Sequence, residues 1–178
     1  MRIFQNALVI VTVMCLSLMS CQDKQGKEEL AKFKESDKKE AANIETVKQF
    51  YKHLDKYLDE QERSALISMW ATDSKRYGGS SDVSMTMVEM TPFLTSWYTA
   101  FPDLKHQLVN TIARDDYVVV QVKYSGTLMN EFMGIPASGK KIECKGVHIF
   151  RLVAGKIAEL HFMDDDFTMF TQLGREFK

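Results

Sequence analysis

The 178 residues carry a formal net charge of -1, with 45% hydrophobic and 26% charged residues. That is a globular composition with room for one domain. A near-neutral balance leaves no electrostatic footprint for nucleic acid, which excludes that class of partner. Eleven Met and eleven Phe point to a soft, aromatic-rich core or pocket.

Met1–Asn6 carries one cation, Arg2, and Ala7–Ser20 is an uncharged apolar run. Fourteen residues at about 1.5 Å each give roughly 21 Å, short of the roughly 30 Å hydrocarbon core. This is the pattern of an export signal. It ends in Leu18-Met19-Ser20-Cys21, which resembles a bacterial lipobox. That resemblance implies cleavage before Cys21, a lipid on its sulfur and a cell-envelope location, membrane-anchored without a span. An ordinary signal peptide and an uncleaved anchor are the alternatives. With Cys15 in the signal and Cys21 lipidated, Cys144 stands alone and no internal disulfide is expected.

Gln22–Ala42 is dominated by Lys, Glu and Asp and reads as a solvated tether, or else as a weak helix. The folded domain is expected from Asn43 to Lys178. Ile44, Val47, Phe50, Tyr51, Leu54, Tyr57 and Leu58 recur at helical spacing behind Asn43 as N-cap, with His53 on the solvent side. A second helix is expected over Glu62–Trp70, then a loop at Tyr77–Ser81. Thr91-Pro92 reads as the start of a third helix whose apolar face is Phe93, Leu94, Trp97, Tyr98 and Phe101.

Beyond Pro102 the period switches to two. Strands are expected over His106–Ile112, Tyr117–Thr127, Lys141–Val153 and Lys156–Asp165. A last helix follows, capped by Asp166, with Phe167, Phe170 and Leu173 inward and Gly174 as its stop. Helices followed by antiparallel strands give an α+β domain, a curved sheet wrapped around the N-terminal helices.

Ala154-Gly155 fits a two-residue hairpin turn, although Asn or Asp is the preferred first residue. With Val153 opposite Lys156, His148 faces His161 and Cys144 faces Asp165. One sheet face then holds His148, His161 and Asp165, walled by Phe150, Met163 and Cys144. The other holds Val147, Ile149, Leu160 and Phe162, a candidate homodimer contact or a surface for one of the chain's own helices, and Asp164. One residue of slip exchanges the faces of one strand. Three readings fit the cluster: acid–base catalysis, a two-His, one-carboxylate metal site, or a polar pocket lining.

The second half resembles the SnoaL-like polyketide cyclase and predicted ester cyclase family. The resemblance rests on Phe101-Pro102-Asp103-Leu104, Gly126-Thr127, Gly134-Ile135-Pro136 with Ser138-Gly139, Gly146 with Ile149-Phe150-Arg151, Gly155-Lys156-Ile157 and Gln172-Leu173-Gly174. It implies a nuclear transport factor 2-like fold, a cone of bent sheet and helices around one apolar pocket. It also implies an Asp at the end of the last strand acting as acid/base on a polyketide ester, with no metal or cofactor. Aligned on the terminal Gln-Leu-Gly, that Asp is Asp165. The chain departs from the family at Leu160-His161, where His-Trp is usual. It departs again at His148, often Asp, and at Ser74–Tyr77, where Tyr77 stands in for a His. The expected ligand is a small apolar or carbonyl-bearing molecule. The expected pocket is lined by Trp70, Tyr77, Trp97, Cys144, Phe150 and Met163, with Asp165, His161 and His148 as its catalytic groups. A non-catalytic binding protein is the alternative.

Overall fold

The structure, a computed structural model, describes residues 2–79 and 83–177, with side chains from residue 25 onward. The signal and lipidation expectations, including Cys21, fall on residues whose side chains lie outside those described. Among the described residues no helix is long and apolar enough to cross a membrane. The chain divides into two compact units, residues 1–39 and 40–178.

Helix α1 runs Arg2–Leu54, so Asn43 is a helix-interior residue and not a cap. Its side-chain amide donates to the Asp115 carbonyl at 3.0 Å, which ties the helix to the β2–β3 turn. The apolar stripe lies where its spacing predicts: Val47, Phe50, Tyr51 and Leu54 are buried. The helix stops at Leu54, four residues before Leu58, where the chain tightens into i→i+3 turns at Lys56 and Tyr57. His53 is half-buried and bonded to Glu62, not free in solvent.

Helix α2 (Glu60–Ser68) starts two residues earlier than expected. Asp59 caps it by accepting from the Gln61 and Glu62 N–H groups. It also ends earlier, because Trp70 opens a strand. Strand β1 (Trp70–Gly78) has no counterpart in the sequence reading, which placed a loop at Tyr77. Its polar run, Thr72-Asp73-Ser74-Lys75-Arg76, hides the period of two, as charged edge strands do. Helix α3 (Met87–Ala100) begins at Thr86 and not Thr91. Thr86 and Glu89 form a capping box, the Ser/Thr-x-x-Glu pattern that outweighs the pull of Pro92. Pro92 sits inside the helix and leaves the Val88 carbonyl without its helical donor. Phe93, expected inward, is 42% exposed.

Strands β2 (Lys105–Arg114), β3 (Tyr117–Thr127), β4 (Lys141–Val153) and β5 (Lys156–Asp164) follow in antiparallel succession. The curved sheet has the order β1-β5-β4-β3-β2, with β1 joined to β5 in parallel. On β3 and β4 every even-numbered residue from Val118 to Gly126 and from Ile142 to Leu152 is buried, so that face carries the core.

Several family-like motifs serve this architecture. Asp103 accepts from the Thr127 backbone and hydroxyl, both at 2.7 Å. A Cβ on Gly126 would meet Leu104 Cδ1 at 3.1 Å, a tight contact that Leu104 would have to give way to by a few tenths of an ångström. Gln172 accepts from the Glu143 N–H and donates to its carbonyl, which clips α4 (Asp166–Leu173) to β4. Asp165, not Asp166, is the cap of α4, accepting from the Thr168 N–H. Phe167 is 66% exposed, and Met169 joins Leu173 in the core in its place. Gly174 ends the helix at φ 92°, as expected for a left-handed stop.

The β4–β5 register departs from the expected one. Val153 pairs with Lys156 and Leu152 with Ile157, as the two-residue turn dictates. Then a β-bulge intervenes, and Arg151 pairs with Glu159. Ala158 is the extra residue. From there on His148 faces Phe162, and Gly146 faces Asp164. Side chains alternate with period two, so one inserted residue exchanges the faces of everything after it. Leu160, Phe162 and Asp164 turn inward, while His161 and Met163 turn outward. The outer face therefore presents Val147 and Ile149 beside His161 and Met163, not beside Leu160 and Phe162.

The turn itself carries strain. Ala154 and Gly155 both have positive φ, 49° and 75°. Positive φ at both positions is the type I′ hairpin turn, and Ala is poorly suited to it. Ala154→Asn is expected to stabilise the protein by about 1 kcal/mol, read as a rise of a few degrees in the thermal unfolding midpoint.

Candidate active site

The cavity lies between the inner sheet face, the end of α1 and the helix α3. Its volume is about 120 Å³. Leu54, Phe93, Leu94, Trp97 and Phe162 supply apolar walls. Arg76, Tyr98, His106, Tyr124, His148, Asp164 and Asp166 supply polar groups. An apolar cavity of roughly 150 Å³ holds one benzene ring, so this one suits a single-ring ligand.

Three residues, one from α1 and two from the paired strands β4 and β5, form a hydrogen-bonded chain. The Tyr51 hydroxyl on α1 lies 2.6 Å from His148 Nδ1 on β4, and the two rings stack. His148 Nε2 lies 3.1 Å from Asp164 Oδ1 on β5. The Asp164 carboxylate can only accept, which assigns the ring proton to Nε2 and the lone pair to Nδ1. Tyr51 therefore donates to Nδ1, and Nε2–H donates to the carboxylate. Burial, and then the charge of Asp164, hold the Tyr51 phenol well above its ordinary pKa, so it stays a donor. Gly146, directly across from Asp164, makes room for the carboxylate: a Cβ there would collide with Asp164 Oδ1.

A second pair stands beside the first. Asp55, just after α1, accepts from the His106 backbone N–H at 3.1 Å and lies 2.7 Å from its Nδ1. This fixes an imidazole that lines the cavity. Arg76, from β1, lies over the Phe162 ring with its guanidinium carbon 4.3 Å from the centroid. Burial lowers its pKa to about 10, against the opposing pull of Asp164. Tyr98 and Tyr124 are pushed up chiefly by burial and remain neutral phenols. Asp166 keeps an exposed surface, yet partial burial and then the charges of Asp164 and Asp165 push its carboxyl up.

Of the residues expected at the site, His148 and Trp97 line the cavity. Asp165 does not. It is exposed, and its carboxyl is held below the ordinary range by the Thr168 hydrogen bonds of the cap. His161 is on the opposite face, stacked on Tyr77 at 4.5 Å. Met163 is 60% exposed there. Trp70, Cys144 and Phe150 are buried in the core rather than along the cavity wall. With His148 and His161 on opposite faces, the two-histidine metal arrangement has no geometry to support it. Among the described residues no three His, Cys, Asp or Glu side chains gather as metal ligands.

The arrangement can be placed among known proteins. The family model for SnoaL-like polyketide cyclases matches residues 45–173. The chain belongs to the SnoaL-like polyketide cyclase family. No curated protein matches it. Solved structures resemble it in fold. AclR from Streptomyces galilaeus, described as a candidate hydroxylase, is 22% identical with a TM-score of 0.70, over 78% of this chain and 85% of its own. A SnoaL-like protein from Jannaschia sp. CCS1 is 22% identical with a TM-score of 0.68, over 77% and 94%. IdmH from Streptomyces antibioticus, described as a candidate polyketide cyclase, is 21% identical with a TM-score of 0.65, over 75% and 99%.

In this SnoaL-like domain, sequence reasoning missed Arg76, His106, Tyr124 and Asp164 on the cavity wall, and Tyr51 and Asp55 behind it. His106 and Tyr124 had a usable signal. His106 pairs with Tyr124 and Tyr124 with Cys144, so strand alternation alone sets all three on one face. Asp164 had none, because the bulge leaves no mark in the hairpin's turn residues.

Asp166 yields a pH-dependent expectation. A carboxyl whose pKa is raised on folding makes the native state bind more protons than the unfolded one. Stability then falls as pH rises from the ordinary carboxylate value through the raised one. Asp166→Asn is expected to be more stable than wild type at pH 7, with the gap closing towards pH 3. Urea midpoints at the two pH values measure it, and the Asp165 cap, common to both proteins, cancels.

Proposed function

We propose that the domain carries out cofactor-free proton transfer on a small carbonyl or ester compound, in the manner of an isomerase or cyclase. The observation that carries this reading is the Tyr51–His148–Asp164 chain, which ends in a carboxylate at a cavity with both apolar walls and polar groups. Asp164 is the proton acceptor, and His148 orients it and feels its charge. The role that the family resemblance assigns to Asp165 passes to Asp164. The small cavity favours a one-ring substrate over fused rings.

The test is exchange of the α-protons of a one-ring ketone, acetophenone, in D2O followed by NMR. Wild type should exceed buffer, and Asp164→Asn should lose roughly 100-fold or more of that excess. Asp165→Asn should retain it, since Asn still caps a helix. Full exchange in Asp164→Asn would remove the mechanism. The same small, largely apolar cavity also supports plain ligand binding. Native mass spectrometry of a co-purified ligand that leaves unchanged, with no exchange above buffer, would favour that reading.

The protein is further proposed to be lipid-anchored in a bacterial envelope. The support is the apolar run ending in Leu18-Met19-Ser20-Cys21. Metabolic labelling with a radioactive fatty acid should mark the wild type and not Cys21→Ser; equal label in both would end the idea.

A further inference from the structure

Proton abstraction next to a carbonyl pushes an electron pair onto oxygen, and that oxygen needs a donor. The histidines do not supply one readily. His161 faces away, both ring nitrogens of His148 are already engaged, by Tyr51 and Asp164, and His106 is held by Asp55. Tyr98 and Tyr124 offer hydroxyl donors at the same cavity, Tyr124 without a partner, but both are neutral phenols. Arg76 differs. Its Nε is shielded from water and has no hydrogen-bond partner. No carboxylate among the described residues lies within ion-pairing distance of its guanidinium, although Asp164 is near enough to influence it. Some of its surface stays accessible, as a group lining a cleft requires. An unpaired buried donor in a native fold calls for an explanation, and a ligand atom is one.

The geometry points to Arg76 as the group that holds the developing oxyanion of the substrate, which makes the ligand a compound with an enolisable carbonyl. This rests on the proton-transfer reading of Asp164. Arg76 on β1 and Asp164 on β5 face the same cavity with opposite charges and no ion pair between them. A carbonyl compound seated between them is polarised along its own reaction. The Asp164 carboxylate takes the α-proton. The C–H electron pair becomes the C=C bond, and the carbonyl π pair moves to oxygen beside the Arg76 N–H groups. Return of the proton from Asp164 to carbon regenerates the carbonyl and frees both residues. A guanidinium suits this role because it stays charged even after burial lowers its pKa. The Phe162 face beneath it holds the guanidinium plane in place.

A phenolate mimics an enolate, and 4-nitrophenol reports its own ionisation by colour near neutral pH. Titrated with excess wild-type protein, its apparent pKa should fall by about one unit, a roughly tenfold preference for the anion. Arg76→Gln should abolish that preference, and Arg76→Lys should keep part of it. Asp164→Asn, which removes the opposing negative charge, should deepen the shift. A bound pKa raised in wild type, or a fall that Arg76→Gln leaves intact, overturns the assignment of Arg76 and leaves the Asp164 reading standing. No binding of either form by wild type also overturns the assignment of Arg76, while the Asp164 reading stands or falls on the exchange of acetophenone. Should Arg76→Gln fail to fold, the wild-type direction and Arg76→Lys decide the matter.

Discussion

A single extra residue, Ala158, governs which side chains this protein shows to its cavity. The β4–β5 hairpin begins in the register that its two-residue turn imposes, then absorbs one residue and continues in another. Ile157 packs inward before the bulge; Leu160, Phe162 and Asp164 do so after it. The cost is local, one unpaired position in a ladder of hydrogen bonds. The gain is Leu160 buried and Phe162 half-buried against β4, and the carboxylate of Asp164 brought opposite Gly146. Without the bulge, His161 and Asp165 would face the core, and Leu160 and Phe162 would face water.

Of the two polar groupings in the cavity, one is His106 held by Asp55 and the other is arranged around that carboxylate. Gly146 leaves the space for it, His148 bonds to it, and Tyr51 reaches from α1 to fix the imidazole. Its negative charge helps to keep Tyr51 protonated and helps to keep Asp166 from ionising easily. Arg76 is the counterweight on the neighbouring strand, held on Phe162, which the same bulge turned inward. The SnoaL-like fold thus supplies a frame, while the residues that set the chemistry come from α1, β1, β2, β4 and β5 at once.

The family-like motifs had a different meaning from the one a motif reading invites. Asp103 ties a loop to Thr127, Gly126 admits Leu104 and Phe101 at close range, and Gln172 clips the last helix to β4. These residues specify the fold, which is why they were legible in the sequence and why they said little about reactivity. Likewise the stripe on α1 and the alternation on β3 and β4 were plain, because burial on one face forces a period. Strand β1 was not, since an edge strand made of Thr, Asp, Ser, Lys and Arg satisfies its backbone through β5 and needs no apolar face of its own. The start of α3 was misjudged for a related reason: Pro92 is a strong local signal, but a reciprocal cap at Thr86 and Glu89 satisfies more donors.

By itself, the sequence determined the α+β class, the boundaries of β3 and β4, the hairpin turn and the presence of a histidine, His148, on the inner face. These follow from local periodicity and turn chemistry, which act over a few residues. Only the tertiary structure decided that Asp164 and not Asp165 enters the cavity, that His161 leaves it, and that Arg76, His106 and Tyr51 join His148. Those outcomes depend on a bulge selected by packing Leu160 and Phe162 against the core. That choice is made by contacts between distant strands and helices, and no short window of residues contains it.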